Sequence, residues 1–151
     1  MSELQLRRRI LGIDLGRART GVAVSDELGM LAHPVETIPA SVDALKRIGE
    51  IVREKNAERV VVGLPRHMNG SVGTGASEAL AFADKLRGLV SCEVITWDER
   101  LTTTAANRAL RASGRKTRDS RALVDQVAAQ MILQGYLDSL PAVQIPDGFQ
   151  S

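Results

Sequence analysis

Cysteine is almost absent from this 151-residue chain, and its scarcity excludes several kinds of chemistry. The single cysteine, Cys92, cannot form a disulfide within the chain or contribute to a thiolate cluster for zinc or iron. Neither of the two histidines, His33 and His67, stands in a motif that would make Cys92 a nucleophile, so we expect Cys92 to be a small buried apolar residue. A metal site in this protein would therefore use oxygen ligands.

Aromatic residues and long apolar runs are also scarce. Four aromatic residues offer few surfaces on which bases could stack, which argues against binding of single strands by stacking. No segment reaches the roughly 18 to 20 apolar residues that a membrane span requires, and no apolar segment with a cleavage site follows the arginines near the amino terminus. We expect a cytoplasmic protein that does not contact a membrane.

Positive charge is unevenly distributed, although the formal net charge is only +2. Residues 100–121 contain six arginines and one lysine against one aspartate. A solvated helix face is the ordinary explanation of such a run, and contact between arginines and nucleic-acid phosphates is the functional one.

The predicted order is strand, strand, strand, helix, strand, helix, strand, helix, helix, which is typical of an α/β protein. The predicted strands cover residues 9–15, 21–25, 30–39, 59–65 and 92–100. The first three form an antiparallel meander whose third strand lies at an edge, because Pro34 cannot donate a hydrogen bond in the centre of a sheet. Helical crossovers join the later strands, which are therefore parallel.

Capping residues and apolar positions at helical spacing predict four helices. The first begins after a Ser41 cap and ends near Asn56, and the second passes through Ala79 and Phe82 and ends around Gly88. The third runs from a cap at Thr102 or Thr103 to about Ala112. The fourth covers residues 119 to about 140. We expect a single domain over residues 1–140. The tail, residues 141–151, contains two prolines and is expected to lie outside the packed core.

Three acidic residues stand where strands end. Asp14 follows the apolar run in ILGIDLG, and Asp98 and Glu99 close ITWDER. Aspartate before a glycine-containing turn is common turn chemistry, and acids at a strand end can simply be solvated, so neither segment alone establishes a function. Because successive strand residues point to opposite faces, only one of the adjacent acids should face a shared site.

The last helix carries a further acid, Asp125. Gln126, Gln130 and Gln134 recur every four residues and indicate a solvent-facing row. Asp125 lies outside that row, on a line with apolar residues. A buried carboxylate is costly unless it meets a cation, so Asp125 is expected to contact either a metal or Arg121, one turn earlier.

Carboxylates from two strand ends and one helix can converge on divalent cations. Oxygen-only ligation suits Mg²⁺ or Mn²⁺. Two such ions, about 3.5 to 4 Å apart, activate a water and stabilise the leaving oxygen when a phosphodiester is hydrolysed. The pattern therefore favours a metal-dependent nuclease.

Four segments occur in a characteristic order, namely GIDLGRARTGVAVSD, VVVGLPRHMNG, DERLTT and VDQVAAQMILQGYL. Together they resemble the YqgF family, also called RuvX, of the RNase H-like superfamily, over about residues 11–137. The resemblance implies an RNase H-like fold, with a mixed five-stranded sheet of order 3-2-1-4-5 and helices on both faces. The predicted strand count agrees with that fold.

The resemblance also implies the catalytic residues. Asp14 in GIDLG, Glu99 in DER and Asp125 in VDQVAA match the family's three catalytic acids, which would hold Mg²⁺ or Mn²⁺, with two ions expected. Asp98 is the neighbouring alternative to Glu99, and we predict that Glu99 faces the metals.

Polar side chains in the surrounding loops are placed to meet phosphates, although turn and cap chemistry explains each of them equally well. These residues are Arg17, Arg19, Thr20, Arg66, Asn69, Arg100, Thr102 and Thr103. Arg115 and Lys116, in a separate basic segment, are also expected to bind the substrate. Family members often have an acid near the position of Asn69. This chain has asparagine there, which argues against a metal ligand in this loop. The segment SGRKTRDS, residues 113–120, looks like a substrate clamp.

The resemblance implies a function in ribosome biogenesis, namely maturation of the 5′ end of the 16S ribosomal RNA precursor. Resolution of Holliday junctions is the alternative, since it uses the same phosphodiester chemistry. The expected partner is structured RNA, with branched or single-stranded DNA as the alternative. A symmetric junction needs two active sites and an RNA end needs one, so both monomer and homodimer stay open.

Two other classes of protein are alternatives. Actin-like and sugar-kinase ATPases begin with a similar Asp–Gly hairpin, but they need two lobes, and this chain has the length of one domain and no GxxxxGK[ST] motif. A non-catalytic nucleic-acid-binding regulator would have no electrostatic reason to keep three carboxylates where phosphates bind.

Overall fold

A computed structural model describes residues 9–65, 73–101 and 118–141 of the chain, including their side chains except those of residues 118–126. Within these ranges five strands form one sheet in the order β3-β2-β1-β4-β5. The strands are β1 (Arg9–Leu15), β2 (Arg19–Ser25), β3 (Ala32–Pro39), β4 (Ala57–Leu64) and β5 (Glu93–Asp98). The helices are α1 (Ala44–Lys55), α2 (Thr74–Arg87) and α3 (Arg118–Ser139), and a 3₁₀ turn covers Glu99–Leu101.

The sheet has the predicted mixed topology. Strands β1, β2 and β3 pair as an antiparallel meander with β3 at the edge, whereas β4 lies parallel to both β1 and β5. The predicted α/β fold and the order 3-2-1-4-5 are confirmed.

The helices cover both faces of the sheet. Leu11 and Ile13 of β1 pack in one buried cluster with residues of α1 and α2, while Ile10 packs in a second cluster with residues of α3. Because alternate strand residues point to opposite faces, α3 lies on the face opposite α1 and α2. Even-numbered residues of β1 therefore face α3.

Gly12 allows α3 to approach β1 closely. A Cβ atom at this position would lie 2.6 Å from the Leu133 Cβ and 3.1 Å from the Ala129 carbonyl oxygen. These distances are too short for any side chain, so only glycine lets the helix backbone lie on the strand.

Two glutamines of α3 bind the start of the edge strand. Gln134 Oε1 accepts a hydrogen bond from the Ala32 amide at 2.9 Å, and Gln130 Nε2 donates one to the Ala32 carbonyl at 2.9 Å. The predicted solvent-facing glutamine row is half-buried at both positions. Four-residue spacing identified one helix face, and the amides on it also satisfy backbone groups of β3, which the spacing did not predict.

The first helix begins two residues later than predicted. Asp43, not Ser41, is the cap, and its carboxylate accepts a hydrogen bond from the Lys46 amide. Strand β2 begins two residues earlier than predicted, at Arg19. The helix predicted from Thr102 or Thr103 to Ala112 lies outside the described residues, as does nearly all of the tail.

Cys92 lies half-buried against the core on the α1 and α2 side of the sheet. Burial raises the pKa of its thiol, which keeps the thiol protonated and poorly nucleophilic. Within the described ranges, no helix is both long enough and apolar enough to cross a membrane.

An ion-pair cluster joins α1 to the edge strand. The Arg47 guanidinium donates to both carboxylate oxygens of Glu36 on β3, at 2.7 and 2.9 Å, and to Glu50 and Glu54 on its own helix. The hydrogen bond from Arg47 lowers the pKa of Glu36.

This lowered pKa predicts a pH-dependent contribution to stability. The contribution is fully present above the ordinary glutamate pKa of about 4.5 and is lost as the pH falls through the lower native value. Glu36→Gln should therefore be less stable than the unaltered protein at neutral pH, and the difference should shrink under acid. Urea unfolding across a pH series checks this, and a difference that stays constant with pH would contradict it.

Candidate active site

Asp14 stands next to last in β1, and its side chain is 3% exposed. It shares the α3 face with Gly12, two residues earlier. The buried residues before it hold β1 between β2 and β4, so the carboxylate is supported by the centre of the sheet. This explains why an aspartate follows an apolar run: the buried residues anchor it at the carboxyl end of the central strand.

Glu99 lies on the same face and is also 3% exposed. It follows β5 directly and begins the 3₁₀ turn. Its Oε2 lies 2.9 Å from the position that a Cβ atom of Gly63 would occupy, and Ile132 of α3 lies 2.5 Å from the same position. Glu99 therefore reaches over β4 beneath α3, in space that Gly63 leaves open.

Gly63 also links Glu99 to Asp14. Strands β1 and β4 are parallel with Ile13 opposite Val62, so the following residues, Asp14 and Gly63, are neighbours across the two strands. The structure thus places two buried carboxylates on either side of Gly63, at the carboxyl ends of β1 and β5, the parallel strands that flank β4. Such ends are common ligand sites in α/β proteins.

Asp98 differs from its neighbour Glu99. It is half-buried at the end of β5, and both of its carboxylate oxygens accept hydrogen bonds from Arg100. Of this adjacent pair, only Glu99 is buried, as the alternation along the strand predicts.

The backbone of residue 125 lies on the same stripe of α3 as buried Ala129 and Ile132. Ile132 contacts the position of Gly63 near the end of β4, whereas Tyr136 binds Arg59 near its start, so α3 runs antiparallel to β4. Residues before Ile132 consequently extend toward the edge where Asp14 and Glu99 lie. The side chain of Asp125 is outside the description.

The turn between β1 and β2 and the first two residues of β2 carry three of the predicted phosphate ligands. Arg17 is exposed in the turn, and Arg19 is half-buried where β2 begins. Thr20 is 4% exposed and has the same alternation as Val22, which packs on the α1 side. The turn therefore brings the arginines near the end of β1, but it does not bring Thr20 to the face that carries Asp14.

Arg100, another predicted phosphate ligand, is exposed just after β5. Its hydrogen bonds to Asp98 raise the pKa of its guanidinium. Six other predicted ligands fall outside the described residues: Arg66, Asn69, Thr102, Thr103, Arg115 and Lys116. Among the residues that the structure describes, no group of three or more Asp, Glu, His or Cys side chains could hold a metal. The side chain of Asp125 is not among those described.

Sequence reasoning did not identify Gly63 as a site residue. A signal for it existed, because this glycine interrupts the β-branched run in RVVVGLP. Glycine inside a strand often marks a close approach of another group.

Comparison with solved structures identifies the fold of this chain. The chain resembles RuvC of T. thermophilus in complex with a Holliday junction, with a TM-score of 0.55 and 15% identity over 87% of this chain and 96% of that one. It also resembles the fowlpox virus Holliday junction resolvase, with a TM-score of 0.50. The identity is 14%, over 87% of this chain and 99% of the viral chain. The fold is the RNase H-like fold of these resolvases.

Sequence comparison gives the family. The model of the RuvX family, described as Holliday junction resolvase, matches residues 8–139. A protein of Acetivibrio thermocellus named as a pre-16S rRNA nuclease is 48% identical over 87% of this chain and 96% of its own length. A protein of Nocardia farcinica with the same name is 49% identical over 91% of this chain and 81% of its own length. The chain belongs to the RuvX family, and it is a nuclease.

The open space at Gly63 predicts a site-specific effect of a single methyl group. Gly63→Ala should displace the Glu99 carboxylate or the Ile132 side chain, and overpacking of this kind costs about 1 to 3 kcal/mol. We expect nuclease activity per folded molecule to fall as well, because the Cβ atom crowds the space in which the Glu99 carboxylate lies. Thermal melting and cleavage assays measure the two effects separately.

Gly49→Ala is the matched control. A Cβ atom there would approach only Arg53 Nη1, at 3.9 Å, and alanine favours the helix by up to about 1 kcal/mol. This variant should be at least as stable as the unaltered protein and equally active. Full activity of Gly63→Ala would contradict the placement of Glu99.

Proposed function

We propose that this RuvX-family nuclease hydrolyses phosphodiester bonds with divalent cations held by Asp14, Glu99 and Asp125, and that its substrate is the precursor of 16S ribosomal RNA, at its 5′ end. One observation carries the proposal: Asp14 and Glu99 are both buried, on one face, at the ends of strands that flank Gly63. Asp125 enters through its position on α3 and its match to the family motif.

The donor chemistry of this site fits Mg²⁺ or Mn²⁺. Carboxylate oxygens are hard ligands, which these ions prefer. Burial of two neighbouring carboxylates is unfavourable unless cations offset their charge. When bound, a pair of such ions activates a water and stabilises the leaving oxygen of an in-line displacement.

The chain itself supplies rigidity and phosphate contacts. Strand β1 fixes Asp14 in the sheet centre, and Ile132 with the open space at Gly63 fixes Glu99. Arg17 and Arg100 are exposed near the same edge, where guanidinium groups can grip backbone phosphates. These contacts would orient the scissile bond over the acids.

The names of the relatives support an RNA substrate. The proteins of A. thermocellus and N. farcinica are named for pre-16S rRNA, and they align with most of this chain. A ribosomal precursor also implies a cytoplasmic location. The bound nucleic acid would be structured RNA.

Junction resolution is the second candidate function. The family model is described as Holliday junction resolvase, and the similar RuvC chain is in complex with a Holliday junction substrate, which supports this candidate. A symmetric junction would require two copies of the site, so resolution requires a homodimer, whereas trimming an RNA end is possible for a monomer.

Removal of the acids tests the site assignment. Asp14→Asn, Glu99→Gln and Asp125→Asn should each lower the cleavage rate by about a thousandfold or more, since loss of a metal ligand removes several kcal/mol of transition-state stabilisation. EDTA should abolish cleavage by the unaltered protein, and Mg²⁺ or Mn²⁺ should restore it. Labelled 16S precursor RNA, single-stranded RNA and four-way DNA junctions are the substrates.

Asp138→Asn is the control, because this exposed aspartate lies on the same helix, about 20 Å from residue 125 along its axis. It should cleave normally. Unchanged cleavage by Asp14→Asn would refute the site, and preferential cleavage of junctions would favour the resolvase function. Binding without cleavage in either metal would favour a regulator.

A further inference from the structure

We propose that Asp98 is a positioning residue and not a metal ligand: it orients the Arg100 guanidinium to bind a backbone phosphate of the nucleic-acid substrate. The inference rests on the proposed function, which it deepens by assigning the two residues on either side of Glu99. It is carried by the hydrogen bonds between Asp98 and Arg100.

Asp98 holds Arg100 at three donor groups. The Arg100 backbone amide donates to Oδ1 at 2.9 Å, Nε lies 3.1 Å from both carboxylate oxygens, and Nη2 donates to Oδ2 at 2.7 Å. A bidentate pair of this kind fixes the plane of the guanidinium as well as its position. Arg100 therefore has a defined orientation before substrate arrives.

This arrangement leaves the outer edge of the guanidinium available. A guanidinium has five N–H donors, and Asp98 engages Nε and one hydrogen of Nη2. The Nη1 group and the second Nη2 hydrogen form a fork that points away from Asp98, and such a fork matches two phosphate oxygens. Arg100 is an exposed residue, so a phosphate can reach this edge.

The same carboxylate constrains the turn that carries Glu99. The bond from the Arg100 amide to Asp98 closes a tight turn whose middle residue is Glu99. Phosphate binding at Arg100 and the acid at Glu99 are thus fixed by one side chain. This coupling is what an active site needs to hold a scissile phosphate at a set distance from its acids.

A solvated surface pair is the ordinary alternative, and the chain offers one for comparison. Asp84 and Arg87 on α2 form a single contact, with side chains 75% and 46% exposed. Asp98 and Arg100 are 20% and 32% exposed. The pair beside Glu99 is more buried and bidentate, which makes it a better-defined structural element than a typical surface ion pair.

RNA binding separates positioning from simple charge effects. Asp98→Asn removes a negative charge near the proposed phosphate, so electrostatics alone predicts tighter binding. Positioning predicts the opposite: affinity for a labelled single-stranded RNA, measured by fluorescence anisotropy in Ca²⁺, should fall about threefold to tenfold because Arg100 loses its bidentate partner. Asp98→Asn retains an oxygen acceptor for the Arg100 amide, which protects the fold.

Two further arms complete the test. In an Arg100→Ala background, Asp98→Asn should have no additional effect on RNA affinity. In the unaltered protein, Asp84→Asn should have no effect on RNA affinity.

Mn²⁺ affinity can be followed by quenching of the fluorescence of Trp97, the single tryptophan, which pairs with Gly63 across β4 and β5. Asp98→Asn should bind Mn²⁺ within about twofold of the unaltered protein, whereas Glu99→Gln should lose about tenfold or more.

Each result has a clear meaning. Tighter RNA binding by Asp98→Asn, additive effects with Arg100→Ala, or loss of Mn²⁺ affinity equal to that of Glu99→Gln would overturn the inference. RNA binding and Mn²⁺ quenching need no cleavage. Failure of the proposed nuclease function alone would therefore show as RNA bound but uncut, with the Asp98 coupling intact.

Discussion

The site depends on one constraint, namely the close contact between α3 and two glycines of the sheet, Gly12 and Gly63. At Gly12 the helix backbone lies on β1, and at Gly63 the Ile132 side chain and the Glu99 carboxylate share the space over β4. A larger residue at Gly12 would hold α3 away from the sheet, and a larger residue at Gly63 would displace the Ile132 or Glu99 side chain. The close approach both seals one core and brings the helix over the face that carries Asp14.

The same packing determines the electrostatics. Asp14 and Glu99 are each 3% exposed, so their charges lie in a region of low dielectric, where like charges repel strongly and cations are attracted strongly. A stable fold would not place two carboxylates there for packing alone. Their burial supports the proposed cation site, because bound divalent cations would offset two carboxylate charges that are costly to bury.

Much of the fold was predictable because its signals are local. Apolar runs, Pro34 and the helical crossovers gave the antiparallel meander and the parallel later strands, whereas the order 3-2-1-4-5 came from the family resemblance; alternation along β5 separated Asp98 from Glu99. Contacts between distant residues could not be read in this way. Spacing alone cannot show that Gln130 and Gln134 bind Ala32, nor that Thr20 is buried on the face opposite Asp14, because both depend on how α3 and β2 sit in three dimensions.

The central claim is that Asp14 and Glu99 together hold the catalytic cations. The most direct measurement is the anomalous diffraction of Mn²⁺ in crystals of the protein. The account predicts a peak about 2.1 Å from carboxylate oxygens of both residues, and loss of that peak in Asp14→Asn. A Mn²⁺ peak at another cluster, or an unchanged peak in Asp14→Asn, would contradict it.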